Sequence, residues 1–476
     1  MDYSAKARPF HYRCLSDDLF VAVSPSGDHV FLKECELNHL LQSPDSIPLE
    51  KQIELRSRFF IQSQYSTPGL NRLLASRQKE KRETVNAGPS LHIIVPTLQC
   101  SHSCQYCQVS RSLESSGFTI APHHLDAACD SIFESPSPTL TVEFQGGDPL
   151  IRFDLVKHAI SRIKARNKTE ARKIRFVVAS TLHQLDIEMC EFFKEHEVFL
   201  STSLDGPATL HNQNRPIPGR NSFERTLNGI ALARHRIGND YVSALMTTTR
   251  ASLEFPEAIV DTYVEQGFNE IFIRPLSSYG FAKRNQRALG YSIHEFLEFY
   301  ERALERILFW NRKGTHIREV YASIILNKLL STFDAGYVDL QSPTGAGKSV
   351  LVYNYDGYIY PSDEARMLSE SGDISLRLGE IGSPLSSIMN SQLQVHLTAA
   401  SLVEDMPDCN ECAYNQFCAP NPVDAYAQTG DMYASPSQTE HCQRHIQLFD
   451  RLLRRLHSGD PWFLSLAHSW AQPPGI

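Results

Sequence analysis

The chain has no run approaching the 18 apolar residues of a membrane-crossing helix, so a membrane protein is not expected. It has no basic excess either. Its 46 Lys and Arg stand against 54 Asp and Glu, a net charge of -8, where a protein that grips nucleic acid carries the opposite sign. The first ten residues hold no apolar h-region, and the expected location is the reducing cytoplasm. Internal repeats and low-complexity tracts are absent. Cysteine is too sparse for a disulfide scaffold: 11 residues in 476, an odd number. It still exceeds what packing needs, and clustered cysteines in a chain of this size read as metal ligands. With 42% hydrophobic and 21% charged residues, collagen and wholesale disorder are excluded. The length implies two to four domains.

Three zones follow along the chain. Residues 1–85 open with short alternating runs around Phe10, Leu19–Val23 and Val30–Leu32, the pattern of a β-hairpin or three-stranded meander. Helical patterns follow near Glu34–Leu41 and Glu50–Ser63, and the polar stretch from Gln78 to Glu83 reads as a linker or helix end. Residues 86–335 alternate strand and helix. Apolar β-type runs at Leu91–Thr97, Leu140–Phe144, Ile174–Ala179, Val198–Leu204, Val242–Thr247 and Ile271–Pro275 are separated by amphipathic stretches such as Leu155–Ala165, Phe223–Ala233 and Pro256–Gln266. Repeated βα units imply an α/β fold with a parallel sheet, a partial (β/α)6 barrel short of the full eight, closed by helical bridging material over 292–335. Residues 336–476 are loop-rich and then cysteine-rich, with a hairpin signal at Asn354–Gly357 and a helix over Cys442–His457.

Cys100-Ser-His-Ser-Cys104-Gln-Tyr-Cys107 spells C-x3-C-x2-C directly after the first barrel strand. That places it at the C-terminal end of a parallel strand, where β/α proteins build active sites. Three thiolates hold three irons of a cubane and leave the fourth open, as a catalytic metal requires. The competing reading is a zinc knuckle with a distant fourth ligand. His102 is expected to be a plain loop residue.

This motif, with an aromatic residue before its last cysteine, resembles that of the radical S-adenosylmethionine (SAM) superfamily. Further positions match in order. Gln145-Gly146-Gly147-Asp148-Pro149, after the second strand, is similar to the family's GGEP turn with Asp for Glu; the resemblance implies that this turn receives the methionine amino group. Ser203-Leu-Asp205-Gly-Pro207 resembles S-x-D-G-P, whose serine contacts SAM. Arg225 falls where relatives place an arginine near the SAM carboxylate, and Leu276 where an apolar residue packs on adenine.

A second cluster, Cys409, Cys412 and Cys418 with Cys442 some way on, makes a closed four-thiolate set, and its spacing alone leaves zinc and iron–sulfur open. The region is similar to the SPASM domain of peptide-modifying radical SAM enzymes, which carries two auxiliary clusters. Here Thr344, Ser362 and Pro422 stand at three cysteine positions of the first auxiliary set, while the four of the second remain. The resemblance therefore implies one auxiliary [4Fe–4S] cluster beside the SAM-binding [4Fe–4S] cluster. Over nearly the whole chain the likeness is to B-type maturases of His-Xaa-Ser systems, carried by residues 100–111 and by Tyr360-Pro-Ser-Asp-Glu-Ala-Arg366. It implies a winged-helix-like N-terminal domain that holds a peptide, a precursor substrate with His-Xaa-Ser repeats, a second radical SAM maturase and an electron donor. None of the 19 histidines here begins a His-x-Ser triplet, so such a substrate is a separate molecule. The rival readings are a sulfatase-type formylglycine-forming maturase and a non-catalytic zinc scaffold. Thr344–Ser349 mimics the end of a P-loop but lacks its first glycine. Cys14, Cys35, Cys129 and Cys190 are expected as packed core thiols.

Overall fold

The structure is a computed structural model that describes residues 5–62, 67–109, 111–113, 117–277, 279–331 and 340–472. Backbone contacts divide the chain into two units. One comprises Ala87–Tyr321 with Ala346–Leu397; the other comprises Met1–Asn86, Ala322–Gly345 and Thr398–Ile476.

The first unit is built on a nine-stranded sheet. Six strands lie side by side in chain order and pair in parallel: Leu91–Thr97, Thr139–Gly146, Lys173–Ala179, Val198–Ser203, Val242–Thr247 and Ile273–Arg274. This is the expected partial barrel. Leu140, Val142 and Phe144 alternate with Thr141, Glu143 and Gln145, so the second strand buries one face fully and keeps polar side chains on the other. Helices Pro122–Ser131, Phe153–Glu170, Ile187–Glu195, Ser222–Arg236 and Pro256–Glu265 follow the first five of these strands in turn and bury apolar stripes such as Leu155, Val156, Ala159, Ile160 and Ile163.

Two features of this unit depart from the sequence reading. The sixth expected strand is split: Ile273–Arg274 pairs with Met246–Thr247, whereas Glu270–Ile271 pairs with Arg318–Glu319. The hairpin of the third zone joins the barrel. Val350–Tyr353 runs parallel to the first strand, Val352 opposite Ile93, and Tyr358–Tyr360 and Gly379–Glu380 add antiparallel beyond it. All four residues of Val350–Tyr353 are buried, as a strand covered on both faces demands.

The second unit contains the N-terminal meander, His11–Ser16, Leu19–Val23 and His29–Leu32, antiparallel as the alternation implies. Helices Glu34–Gln42 and Leu49–Ser57 pack on it through Leu37, Leu40 and Leu55, with Val30, Leu32 and Phe60 completing the core. The second helix stops short of the expected Ser63, and Phe59 turns the chain at φ +66°. The polar stretch at 78–83 is no linker; it lies inside a 20-residue helix, Thr67–Asn86. Helix Glu440–His457 carries Cys442, and its buried stripe includes Leu448, Leu452 and Leu453. Asp450 on that helix accepts from Arg13 of the meander at 3.0 and 3.1 Å and from the Tyr414 hydroxyl at 2.5 Å. Cys14 and Cys35 are exposed rather than packed, because alternation in a half-covered strand and helix turns them outward; Cys129 and Cys190 are buried.

Candidate active site and auxiliary cysteine site

The first barrel strand ends at Thr97, and the loop that follows carries Cys100, Cys104 and Cys107. Backbone bonds hold it as a platform: Leu98 N donates to Phe118 O at 3.0 Å, and Cys100 N to Ser112 O at 3.1 Å. Gly146 and Gly147 lie flush against its root. Gly147 N donates to Thr97 O at 2.9 Å and Asp148 N to Gln99 O at 2.7 Å. A Cβ on Gly146 (φ +131°) would sit 2.2 Å from Thr97 O, and one on Gly147 2.2 Å from Gln99 O. The glycines are thus required by the protein's own backbone.

Asp148 turns inward. Its fully buried carboxylate accepts from Leu150 N (3.2 Å), Ser180 Oγ (2.6 Å), Thr181 Oγ1 (2.5 Å) and Thr181 N (3.4 Å). Burial raises its pKa against these bonds, which favour the charge. The aspartate therefore ties the second strand's exit to the third's. Gln145 donates to Glu143 at 2.8 Å on the polar face of the sheet. Ser203 is the last residue of the fourth strand, in register with Leu245. Arg225 is exposed on the helix beginning at Ser222, and its guanidinium donates to His183 O at 3.4 Å. Leu276 packs against Tyr106, Ala282 and Leu289.

Tyr106, the aromatic residue of the cysteine motif, anchors a buried node. Its hydroxyl donates to both oxygens of Asp205 (3.0 and 2.8 Å) and accepts from Arg215 at 2.6 Å. Arg215 is 8% exposed, and its charge opposes the rise that burial imposes on the Cys104 thiol, which reaches about 11. Burial pushes Cys100 up to about 12. Thiols held this way ionise on metal binding. Motif spacing pointed to Tyr106 and Asp205 but not to Arg215, which carries no local signature.

A histidine cluster was also missed. His102 is fully buried beside His183, ring centroids 4.4 Å apart, and its Nε2 meets Ser222 Oγ at 2.9 Å. His211 Nε2 meets the same hydroxyl at 3.2 Å. Burial first, then Arg215, holds His102 and His211 down to about 2. His102 is a loop residue, as expected, but a fully buried and hydrogen-bonded one.

The four cysteines of the second cluster act on one another electrostatically, and burial raises Cys409 and Cys418 to about 12. Cys418 Sγ lies 3.6 Å from His441 Nε2, a further donor that spacing did not flag. The positions where cysteines are replaced do ordinary structural work. Ser362 caps helix Asp363–Ser369 through Ala365 N, and Pro422 begins helix Pro422–Thr429. The P-loop mimic leads into a strand, not a helix. Among the described residues no three His, Cys, Asp or Glu side chains meet at metal-binding distance, so neither cysteine set is drawn into a coordination polyhedron. The donor chemistry fits nonetheless: three thiols share a braced loop, and four share the other unit. No helix of the described residues is long and apolar enough to cross a membrane.

Residues 94–272 match the radical SAM superfamily, and this stretch is a radical SAM domain. An uncharacterized protein of Methanothermobacter thermautotrophicus is 26% identical over 179 residues, which take in 37% of this chain and 64% of the relative. The chain thus spans less than two thirds of that relative's length. Among solved structures, anSMEcpe with bound AdoMet and the Cp18Cys peptide covers 80% of this chain and 100% of its own at TM-score 0.64 and 15% identity. Streptococcus suis SuiB bound to the precursor peptide SuiA covers 92% and 100% at TM-score 0.55 and 13% identity. Both share the fold.

Proposed function

We propose that the chain is a radical SAM maturase that modifies a ribosomally made peptide carrying His-Xaa-Ser repeats. The observation that carries this reading is the three-thiol loop at the C-terminal end of the first strand, with the Gly146-Gly147 turn clamped against its root. Cys100, Cys104 and Cys107 would hold a [4Fe–4S] cluster with one open iron. When bound, that cluster supplies the electron that splits SAM into methionine and a 5′-deoxyadenosyl radical, which takes a hydrogen atom from the substrate. The protein's own residues position and shield. Gln145, Gly146 and Gly147 would present backbone to the methionine amino group, and Asp148 holds that turn in place. Ser203 and Arg225 would meet the polar end of SAM and Leu276 its adenine. The Tyr106–Asp205–Arg215 node fixes the loop. Cys409, Cys412, Cys418 and Cys442 would hold one auxiliary [4Fe–4S] cluster that conducts electrons.

Support for a peptide substrate comes from the peptide-bound neighbours and from the N-terminal meander, whose edge can take a leader as an added strand. A second maturase and an electron donor complete the system, which we place in the cytoplasm. A second reading, formylglycine formation, is compatible with the same fold; Thr344, Ser362 and Pro422 at expected cysteine positions count against it. The test is mass spectrometry of a His-Xaa-Ser peptide co-expressed with the wild type and with Cys104→Ala. A mass change that needs Cys104 supports the reading; an unmodified peptide alongside a peptidyl formylglycine on a sulfatase substrate would replace it.

A further inference from the structure

Glu143 is out of place by composition. In the register row that crosses the barrel sheet its neighbours are Ile93 on one side and Val177 on the other, and the row runs on to Val352 and Phe199. Paired residues of adjacent strands point to the same face, so a lone carboxylate stands in an apolar row. It stands on the inner face. Leu140, Val142 and Phe144 are buried on the helix side of the second strand, whereas Thr141, Glu143 and Gln145 keep accessible surface on the other. The inner face is hollow beside it. One inward step nearer the strand ends that carry the three-thiol loop, the register row Ala179, Ser201 and Ser243 holds only small side chains, and each keeps accessible surface.

The chain does not use up this carboxylate. Gln145 donates to its Oε1 at 2.8 Å, and among the described residues that is its one side-chain hydrogen bond and no ion pair reaches it. Arg175, level with Thr141 on the adjacent strand, lays its guanidinium over the Phe199 ring at 4.1 Å instead. Burial, helped by Asp363, raises the pKa of Glu143 against the Gln145 bond and the more distant charges of Arg274 and Arg175. A carboxylate inside a barrel without a paired cation is costly, and an accessible one has room for a donor from outside the chain. We propose that Glu143 is a substrate-binding residue whose free carboxylate oxygen accepts an N–H from a basic side chain of the peptide. Under the function proposed above, on which this inference rests, that side chain is the histidine of the His-Xaa-Ser repeat. An imidazolium supplies both the positive charge and the directed N–H that the inner face lacks at this point.

The test uses full-length protein with reconstituted clusters and SAM, and measures equilibrium binding of two synthetic peptides. One carries His-Xaa-Ser repeats; in the other each repeat histidine is replaced by phenylalanine. Glu143→Gln keeps an acceptor for Gln145 and removes the charge. The wild type is expected to prefer the histidine peptide about tenfold or more, the scale of a charge-assisted hydrogen bond. Glu143→Gln is expected to bind the two peptides within about threefold of each other, and to hold the phenylalanine peptide as the wild type does. Its iron content and SAM binding, expected to be unchanged, serve as the control for the integrity of the site. An equal loss for both peptides, as a structural role would give, or a histidine preference that survives in Glu143→Gln, overturns the inference and leaves the function intact. So does a wild type that modifies the co-expressed repeat peptide yet shows no histidine preference, whatever the variant does. A wild type that neither binds nor modifies the repeat peptide overturns the substrate reading as well.

Discussion

Asp148 shows how a motif position acquires a meaning that its local sequence does not state. Read beside two glycines, it looks like a ligand-facing carboxylate; in the fold it accepts from Ser180 and Thr181, 32 and 33 residues away. Asp148→Ala strands those two hydroxyls in a buried site and should cost about 3 kcal/mol in denaturant unfolding. A loss under about 1 kcal/mol, at the scale of a surface residue, would contradict the assignment. Gly147 makes the complementary case. Its need for close approach was legible in the sequence, but its partner was not: the protein's own Leu98 and Gln99 carbonyls lie within 2.3 Å of a would-be Cβ. Gly147→Ala must displace the root of the cysteine loop. Reconstituted protein should then lose about four irons per chain, the content of one cubane; unchanged iron would show that the turn does not support the loop. The same limit hid His102 and Arg215, since spacing locates ligands along the chain and says nothing of what a folded neighbour brings to them.

At the scale of elements, the strands and helices of the barrel were legible because period-2 and period-3.6 patterns alternate cleanly there. Pairing partners were not. Val350–Tyr353 is a buried strand, yet nothing local says that it lies against the first barrel strand about 260 residues earlier. One cross-strand contact makes this pairing testable. His92 is fully buried, its Nδ1 3.2 Å from the Tyr353 hydroxyl. Burial holds its pKa down to about 4 from 6.5. The folded state therefore favours the neutral ring, and the unfolded chain takes up the proton first. The stabilisation is complete above pH 6.5 and is lost as the pH falls towards 4, at up to about 1.4 kcal/mol per pH unit. Replacing the ring by His92→Phe should flatten the acid limb of the melting temperature over that window. An equally steep limb would mean that His92 is not buried against the added strand.

For the whole molecule, contacts cut the chain differently from its linear zones. Residues 346–397 belong with the barrel, while the N-terminal meander shares a unit with the second cysteine set, joined through Arg13, Tyr414 and Asp450. Discontinuous units of this kind are invisible to boundary signals such as charged stretches, because contacts and not composition define them. The retained and replaced cysteines predict one auxiliary cluster. Anaerobically reconstituted protein should carry about eight irons and eight sulfides per chain, falling to about four in Cys412→Ala, as two cubanes require. About four irons with one zinc would instead make the second site a zinc site. The central claim, that the three-thiol loop performs reductive SAM cleavage, is tested most directly by mass spectrometry of the small-molecule products after the reconstituted protein is mixed with SAM and dithionite. The wild type should yield 5′-deoxyadenosine and Cys104→Ala none; a wild type with a full first cluster and bound SAM that yields no 5′-deoxyadenosine would rule out this role for the loop.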